Sequence, residues 1–441
     1  MDWLLLTKND LLFEKQQCID EGRDFRSLSR KFDKLIKLDL LINKNQALAK
    51  EFLNKTQKLS FRKEYKYKEP SDITGILKLR DKAPKQIKVK LSRGQMFDKV
   101  YGAWLGRSAG CLLGKPVECW HRGQIIDVLK KSGQYPLADY ISISKVPKQL
   151  IKKYGISKDS AFIENVNGMP VDDDINYTIT GLAVIGKYGK KFTPGNVSEF
   201  WMQNIPIMST CTAERIAYRN FSNMIMPPES AIYGNPYREW IGAQIRADFW
   251  GYVMPGKMEE AAKLAFKDAC ISHIKNGIYG EMWAAAMLAA AYVEDDVEKI
   301  IESGLSQIPN TSRLYEAVKQ VISWKKDGLG SEQAINKIHS KFDEKNFHDW
   351  CHTISNAMIV AAGLLYGEKD FEKSITMAVD AAFDTDCNGA TVGSVLGLVL
   401  GAKNLPRKWT APLKNKISST IRDFEKVKIS EMAERTLKLQ V

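Results

Sequence analysis
Three consecutive carboxylates, Asp172, Asp173 and Asp174, stand immediately before a run of helically spaced apolar residues that begins at Ile175. A single aspartate there would serve as an N-cap, accepting free backbone N–H groups and complementing the helix dipole. Three adjacent ones repel each other, and if partly buried they need a compensating cation. Far downstream, Asp384 and Asp386 occupy alternate positions in Phe383-Asp384-Thr385-Asp386-Cys387-Asn388 and again open an apolar helix. Oxygen-only donors suit Mg2+, Mn2+ or Ca2+ better than zinc or copper. Five carboxylates are enough for two adjacent divalent ions if the two helix starts converge. Glu118 follows a third helical run, on a turn that Gly114 and Pro116 fix. Beside a metal pair it could orient or deprotonate an attacking water, although on its own it reads as a solvated surface glutamate.

The elements that must position these groups are helices. Apolar residues recur at three- and four-residue spacing through most of the chain, with few period-two alternations, so the expected fold class is all-α. The spacing predicts helices over 96–111, 175–188, 258–275, 281–292, 350–366, 371–382 and 388–402. Two of them carry glycine at every fourth position, Gly102, Gly106, Gly110, Gly114 and Gly389, Gly393, Gly397, Gly401. Each glycine costs a helix interior roughly 1 kcal/mol relative to alanine, so a stripe of them implies close backbone approach. Arg107 and the short apolar length favour a crowded water-soluble core over a membrane pair.

The 441 residues, 44% hydrophobic and 27% charged, are enough for one large domain with an appendage. Residues 1–93 read as a small helical appendage, with periodicity at Phe25, Leu28, Phe32, Leu35, Ile36 and Leu40, followed by a Lys-rich linker or surface-hugging segment from Ser60 to Arg93. Residues 94–441 form the expected main domain. A net charge of +13 favours anionic partners without choosing among them. The start of the chain has no basic segment and only a short apolar run, and no stretch approaches the roughly 20 residues that span a bilayer, so the expectation is a cytoplasmic protein with no membrane partner. Seven cysteines without a Cys-x-x-Cys pair argue against a disulfide framework or a zinc site.

Tyr101-Gly102-Ala103-Trp104-Leu105-Gly106 through Glu118, the Asp172 cluster and Asp384-Thr385-Asp386-Cys387-Asn388 together resemble the ADP-ribosylglycohydrolases, over about Gly94 to Ala402. That resemblance implies a single orthogonal helical bundle and two Mg2+ or Mn2+ ions ligated by Asp172, Asp173, Asp174, Asp384 and Asp386. It implies a catalytic role for Glu118, with Asp173 and Asp386 beside it, and cleavage of the bond between ADP-ribose and an acceptor. It also points to Ser272-His273, to Gly242 and Arg246 in a glycine-containing segment, and to Asn388 as substrate contacts. Without it, His273 would read as a core histidine and Arg246 as an ion-paired one. Many members carry Thr at the place of Asp172, and Thr or Ser at that of Cys387. A thiol is a poor magnesium ligand, so Cys387 either packs beside the site or belongs to a softer ion such as Mn2+. Ile241 stands where Asn is usual, which leaves room for another ribosyl or nucleoside-type substrate.

Cys351-His352 and Ser355-Asn356 make a polar strip about one helix hairpin from Asp384. The aromatic stretch from Pro227 to Pro255 could wall an adenine pocket or simply pack in the core. A reading of a different class is a non-catalytic ADP-ribose-binding protein. Nucleic-acid binding through the Lys-rich stretch is the least favoured, because the retained acidic clusters and Glu118 argue for chemistry.

Overall fold
The computed structural model describes residues 5–81 and 86–440. Met1 to Leu4 of the N-terminal apolar run, and Pro84, lie outside them. The fold is all-α, helix packed on helix, with one antiparallel two-stranded ribbon, Lys416–Ser418 against Lys426–Lys428, among the described residues. That ribbon is too short to register as a period-two pattern.

Two helices form the axis of the molecule: Arg93–Gly114 and Thr385–Leu400. Their glycine stripes face each other in antiparallel register. A methyl group built on Gly102, Gly106 or Gly110 would collide with the carbonyl of Gly397, Gly393 or Gly389 in turn, and the reverse also holds. Gly114 lies against the backbone of Thr385, whose hydroxyl donates to the Gly114 carbonyl at 2.9 Å. The last turn of one helix, leading to Glu118, therefore sits on the first turn of the other, which carries Asp384 and Asp386. At the far end Lys99 Nζ donates to the Leu398 carbonyl at 2.9 Å and offsets the negative helix terminus.

Around this pair lie Lys275–Ala290 and Thr353–Gly367, buried at every position. A helix apolar on all sides must sit inside, and these two fill the centre. No helix among the described residues is long and apolar enough to cross a membrane.

Two of the expected helices are interrupted. The run 258–275 ends at Ala269, and Ser272 and His273 lie in a turn before Lys275, whose φ of 44° is left-handed. The run 350–366 divides at His352, whose imidazole Nδ1 accepts the Ile354 N–H and caps the second piece. The reason is long-range: Ile241 N–H donates to the Cys351 carbonyl at 2.8 Å and Trp240 bridges His352, so the backbone is extended at that point.

Residues 6–53 build a small core of their own from Leu11, Phe25, Phe32, Phe52 and Leu53, whereas Ile76 already belongs to the large core. Lys8–Asp20 is fastened to the main body by buried charge: Arg238 reaches Glu14 and Glu21, each at 2.6 Å, and Lys275 reaches Glu21 at 2.8 Å. The Lys-rich stretch hugs the surface. Glu69 pairs with Arg313 at 3.0 Å and Ile87 N–H donates to the Gly256 carbonyl.

Gly106→Ala is expected to cost about 1–3 kcal/mol, because the new methyl meets a backbone carbonyl that cannot rotate away. Urea unfolding reads it as a lower midpoint with an unchanged slope.

Candidate metal centre
Asp172 caps Asp173–Tyr188, its Oδ1 accepting the Asp174 N–H at 2.9 Å, and its Oδ2 meets Lys115 Nζ at 2.5 Å. Asp174 is buried, with Oδ1 paired to Arg107 at 2.9 Å. Arg107 projects from the first glycine helix and also holds Asp248 at 2.7 Å and the Ile245 carbonyl at 2.6 Å. On the opposite side, Asp384 follows Ala382 and Phe383, two non-glycine residues with φ of 62° and 57°. Left-handed backbone at such residues is unfavourable and persists only where its surroundings impose it. Here Asn356 does so: its Oδ1 accepts the Asp384 N–H at 3.1 Å and Asn388 Nδ2 at 2.8 Å, while its Nδ2 donates to the Trp350 and His352 carbonyls.

The two helix starts converge. Donor atoms of Cys111, Asp172, Asp174 and Asp386 all lie within 4.8 Å of one another, and so do those of Asp384, Asp386 and Cys387. Asp386 belongs to both groups. Asp173 belongs to neither and is partly exposed at the helix start. Glu118 stands at the exposed rim, and the next residue, Cys119, has a φ of 64°.

The charges are not balanced from within. The charge of Asp386, followed by burial and by Asp172 and Asp173, pushes the Glu118 carboxyl up to about 9. Burial, then Asp172, raises Asp173 to about 7 and Asp386 to about 6. Burial likewise raises Asp174 and Asp384 well above the usual carboxylate range. Lys115 and Arg107 offset only part of this. Asp174 Oδ2 and Asp386 Oδ1 are buried without a hydrogen-bond partner among the described residues. Buried carboxylate oxygens without partners are a donor set that fits a divalent cation, whose charge would counter these upward shifts.

A second buried group lies behind this centre. Arg246 Nε meets Asp268 at 2.5 Å, and Nη1 meets Glu214 at 2.8 Å and the Ser272 hydroxyl at 3.0 Å. Its guanidinium also stacks over Trp201, 5.1 Å from the ring centre. A methyl group on Gly242 would strike the Glu214 carboxylate. His273 is buried and held neutral, because burial and then Arg246 depress its pKa well below the ordinary value; its Nδ1 lies 2.8 Å from the Ser272 hydroxyl.

A family model described as ADP-ribosylglycohydrolase matches residues 92–440. The chain belongs to the ADP-ribosylglycohydrolase family. Its all-α fold is that of the family, which typically uses a dinuclear divalent-metal site, and the chain has a buried acidic cluster. One solved structure, titled "ADP-ribosylglycohydrolase-related protein complex", is 16% identical, with a TM-score of 0.47, covering 79% of this chain and 98% of its own. No curated protein sequence matches.

Of the residues that sequence pointed to, Asp172, Asp174, Asp384, Asp386 and Cys387 meet in the two donor groups, and Asn388 adjoins them through Asn356. Ser272, His273, Gly242 and Arg246 gather in the second group, around Glu214. Cys111, Arg107 and Glu214 were not singled out as site residues. A lone cysteine among glycines, or a glutamate at an ordinary helix start, carries no local signal.

Asp386→Asn is expected to stabilise the metal-free protein by on the order of 1–2 kcal/mol, since one pKa step of relieved repulsion is about 1.4 kcal/mol. The same change abolishes the rise in Tm on adding a divalent ion. Differential scanning calorimetry with chelator and with metal checks both signs.

Proposed function
We propose that this chain is a metal-dependent glycohydrolase that cleaves the glycosidic bond between ADP-ribose and an acceptor, either a protein side chain or a small molecule. Family membership gives the reaction class, and the observation that carries the reading is the pair of unpartnered buried oxygens, on Asp174 and Asp386, between two helix starts beside Glu118. Asp172, Asp174, Asp384 and Asp386 would hold two divalent ions, Mg2+ or Mn2+. Two such ions supply Lewis-acid charge and a template for the ribose hydroxyls as the anomeric bond breaks.

The chain's own groups do the rest. Glu118 Oε takes a proton from the attacking water as general base. Asp173, outside both donor groups, orients that water through its exposed oxygen. Lys115 keeps Asp172 turned inward. A hollow of ≈ 850 Å3 begins at Lys115 and carries Lys416, Lys426 and Lys428 on its wall, a positive surface suited to a diphosphate. Ser272 and His273 are the substrate contacts of this reading, and Arg246, held by Glu214 and Asp268, fixes the Ser272 hydroxyl behind them. Residues 94–441 are the catalytic unit in this reading, with 1–93 as an attached helical element.

Release of free ADP-ribose from arginine- and serine-linked substrates is expected to require a divalent ion. Glu118→Gln is expected to lower kcat by about 10^2- to 10^4-fold while calorimetry still finds two bound ions. Undiminished release by Glu118→Gln, or tight binding of two ions with no release from any ADP-ribosyl substrate, would overturn the reading.

A further inference from the structure
Each donor group of the centre contains one thiol. Cys111 stands with Asp172, Asp174 and Asp386, and Cys387 with Asp384 and Asp386. Both cysteines are buried, at 0% and 6% exposure. A cysteine that only fills space is surrounded by hydrocarbon; these two face carboxylates. The other donors leave a place for them. Asp172 already has one oxygen on the Asp174 N–H and the other on Lys115, and Asp174 has one on Arg107. In the first group Asp174 Oδ2 and Asp386 Oδ1 have no hydrogen-bond partner among the described residues, and Cys111 Sγ lies within 4.8 Å of a carboxylate oxygen of each of Asp172, Asp174 and Asp386. Donors opposite each other across an ion lie roughly 4–4.6 Å apart, at bonds of about 2.0–2.3 Å, so a 4.8 Å cluster closes on an ion with only slight contraction.

We infer that Cys111 and Cys387 are ligands, one to each ion, and that this chain's centre therefore selects a first-row transition ion of the manganese-to-zinc series over Mg2+. Sulfur is a soft donor and Mg2+ a hard acceptor that dehydrates reluctantly, whereas carboxylate and thiolate together suit the borderline ions. The thiol proton leaves to solvent as the S–metal bond forms. Asp386, common to both donor groups, would be available to either ion.

The inference rests on the two-ion centre proposed above, but its test is spectroscopic and independent of any ADP-ribosyl substrate. The metal-free full chain is titrated with Co2+ and followed in the near ultraviolet, where thiolate-to-cobalt charge transfer absorbs and carboxylate ligation does not. Wild type is expected to show this band at two equivalents. Cys111→Ser and Cys387→Ser should each lose about half of it and the double variant all of it, while two Co2+ still bind. Mg2+ should displace Co2+ from wild type only in excess of about 100-fold or more, and the double variant should narrow that preference by at least about tenfold. Cys→Ala versions, monitored by circular dichroism, provide folded variants if serine disturbs packing. Two bound Co2+ without the band, or a band that survives in the double variant, would overturn thiol ligation and leave the hydrolase reading standing. Failure of the wild-type chain to bind Co2+ would overturn both.

Discussion

The contact between the two glycine stripes fixes where everything else in the centre must lie. Two helix backbones that touch at Gly106 and Gly393 have no side-chain layer between them, so their relative position is set by carbonyls and α-carbons rather than by rotamers. Antiparallel register then does the positioning. The end of one helix, with Cys111, Gly114 and Lys115, is held against the start of the other, with Asp384, Asp386 and Cys387. Glycine lowers helix propensity by roughly 1 kcal/mol per position, and the seven stripe glycines in helical positions would be a poor choice for stability alone. The stripe is understandable as the means by which acidic residues distant in sequence are brought to one point.

Bringing them together raises an electrostatic problem that the fold solves only in part. Two positive helix termini point into the site, favouring the anionic form of the aspartates around them. Arg107 and Lys115 add two full positive charges, but Arg107 is shared with Asp248. Burial works in the opposite direction, and the raised carboxyl groups show that it prevails while no cation is bound. The main body meets a similar demand differently where the appendage docks. There Arg238 sits between Glu14 and Glu21 and Arg313 between Glu69 and Glu239, so each excess of carboxylate has a guanidinium beside it. A crowd of acids with permanent cations beside it is a clamp, and the acidic centre has fewer such cations than carboxylates.

Much of the arrangement was legible in the sequence because its signals are local. Helical period, glycine spacing and aspartates at helix starts can each be read within about ten residues, and they led to the all-α class and to the four aspartates of the two donor groups, Cys387 having entered only through the family resemblance. What local pattern could not reveal came from distant partners. The break at His352 exists because Trp240 and Ile241 pair with that stretch, and the end of a helix at Ala269 frees Ser272 to reach Arg246. The Lys275-Asn276-Gly277 sequence carried a hint of that second break. Cys111 was invisible for another reason: its significance lies only in what the second glycine helix brings beside it. Arg246 is the opposite case: its residue type alone reads as an ion-paired arginine, and the folded chain surrounds it with Glu214, Asp268 and Glu281, whereas the resemblance made it a substrate contact.

The way the carboxylates are fastened has a consequence for how an ion would be received. Asp172 is held through both oxygens, by a backbone N–H and by Lys115, and Asp174 through one, by Arg107. Asp384 is held through its backbone by Asn356, after a left-handed pair of residues that folding has already imposed. These restraints leave Asp174 Oδ2 and Asp386 Oδ1 without a hydrogen-bond partner among the described residues. Side chains restrained in this way lose little further freedom when a cation arrives, so their rotamer entropy is lost during folding rather than during binding. The strain at Ala382 and Phe383 and the repulsion among the aspartates are then two parts of one device. Packing of the buried helices sustains both, and a divalent cation at the proposed centre would relieve the second.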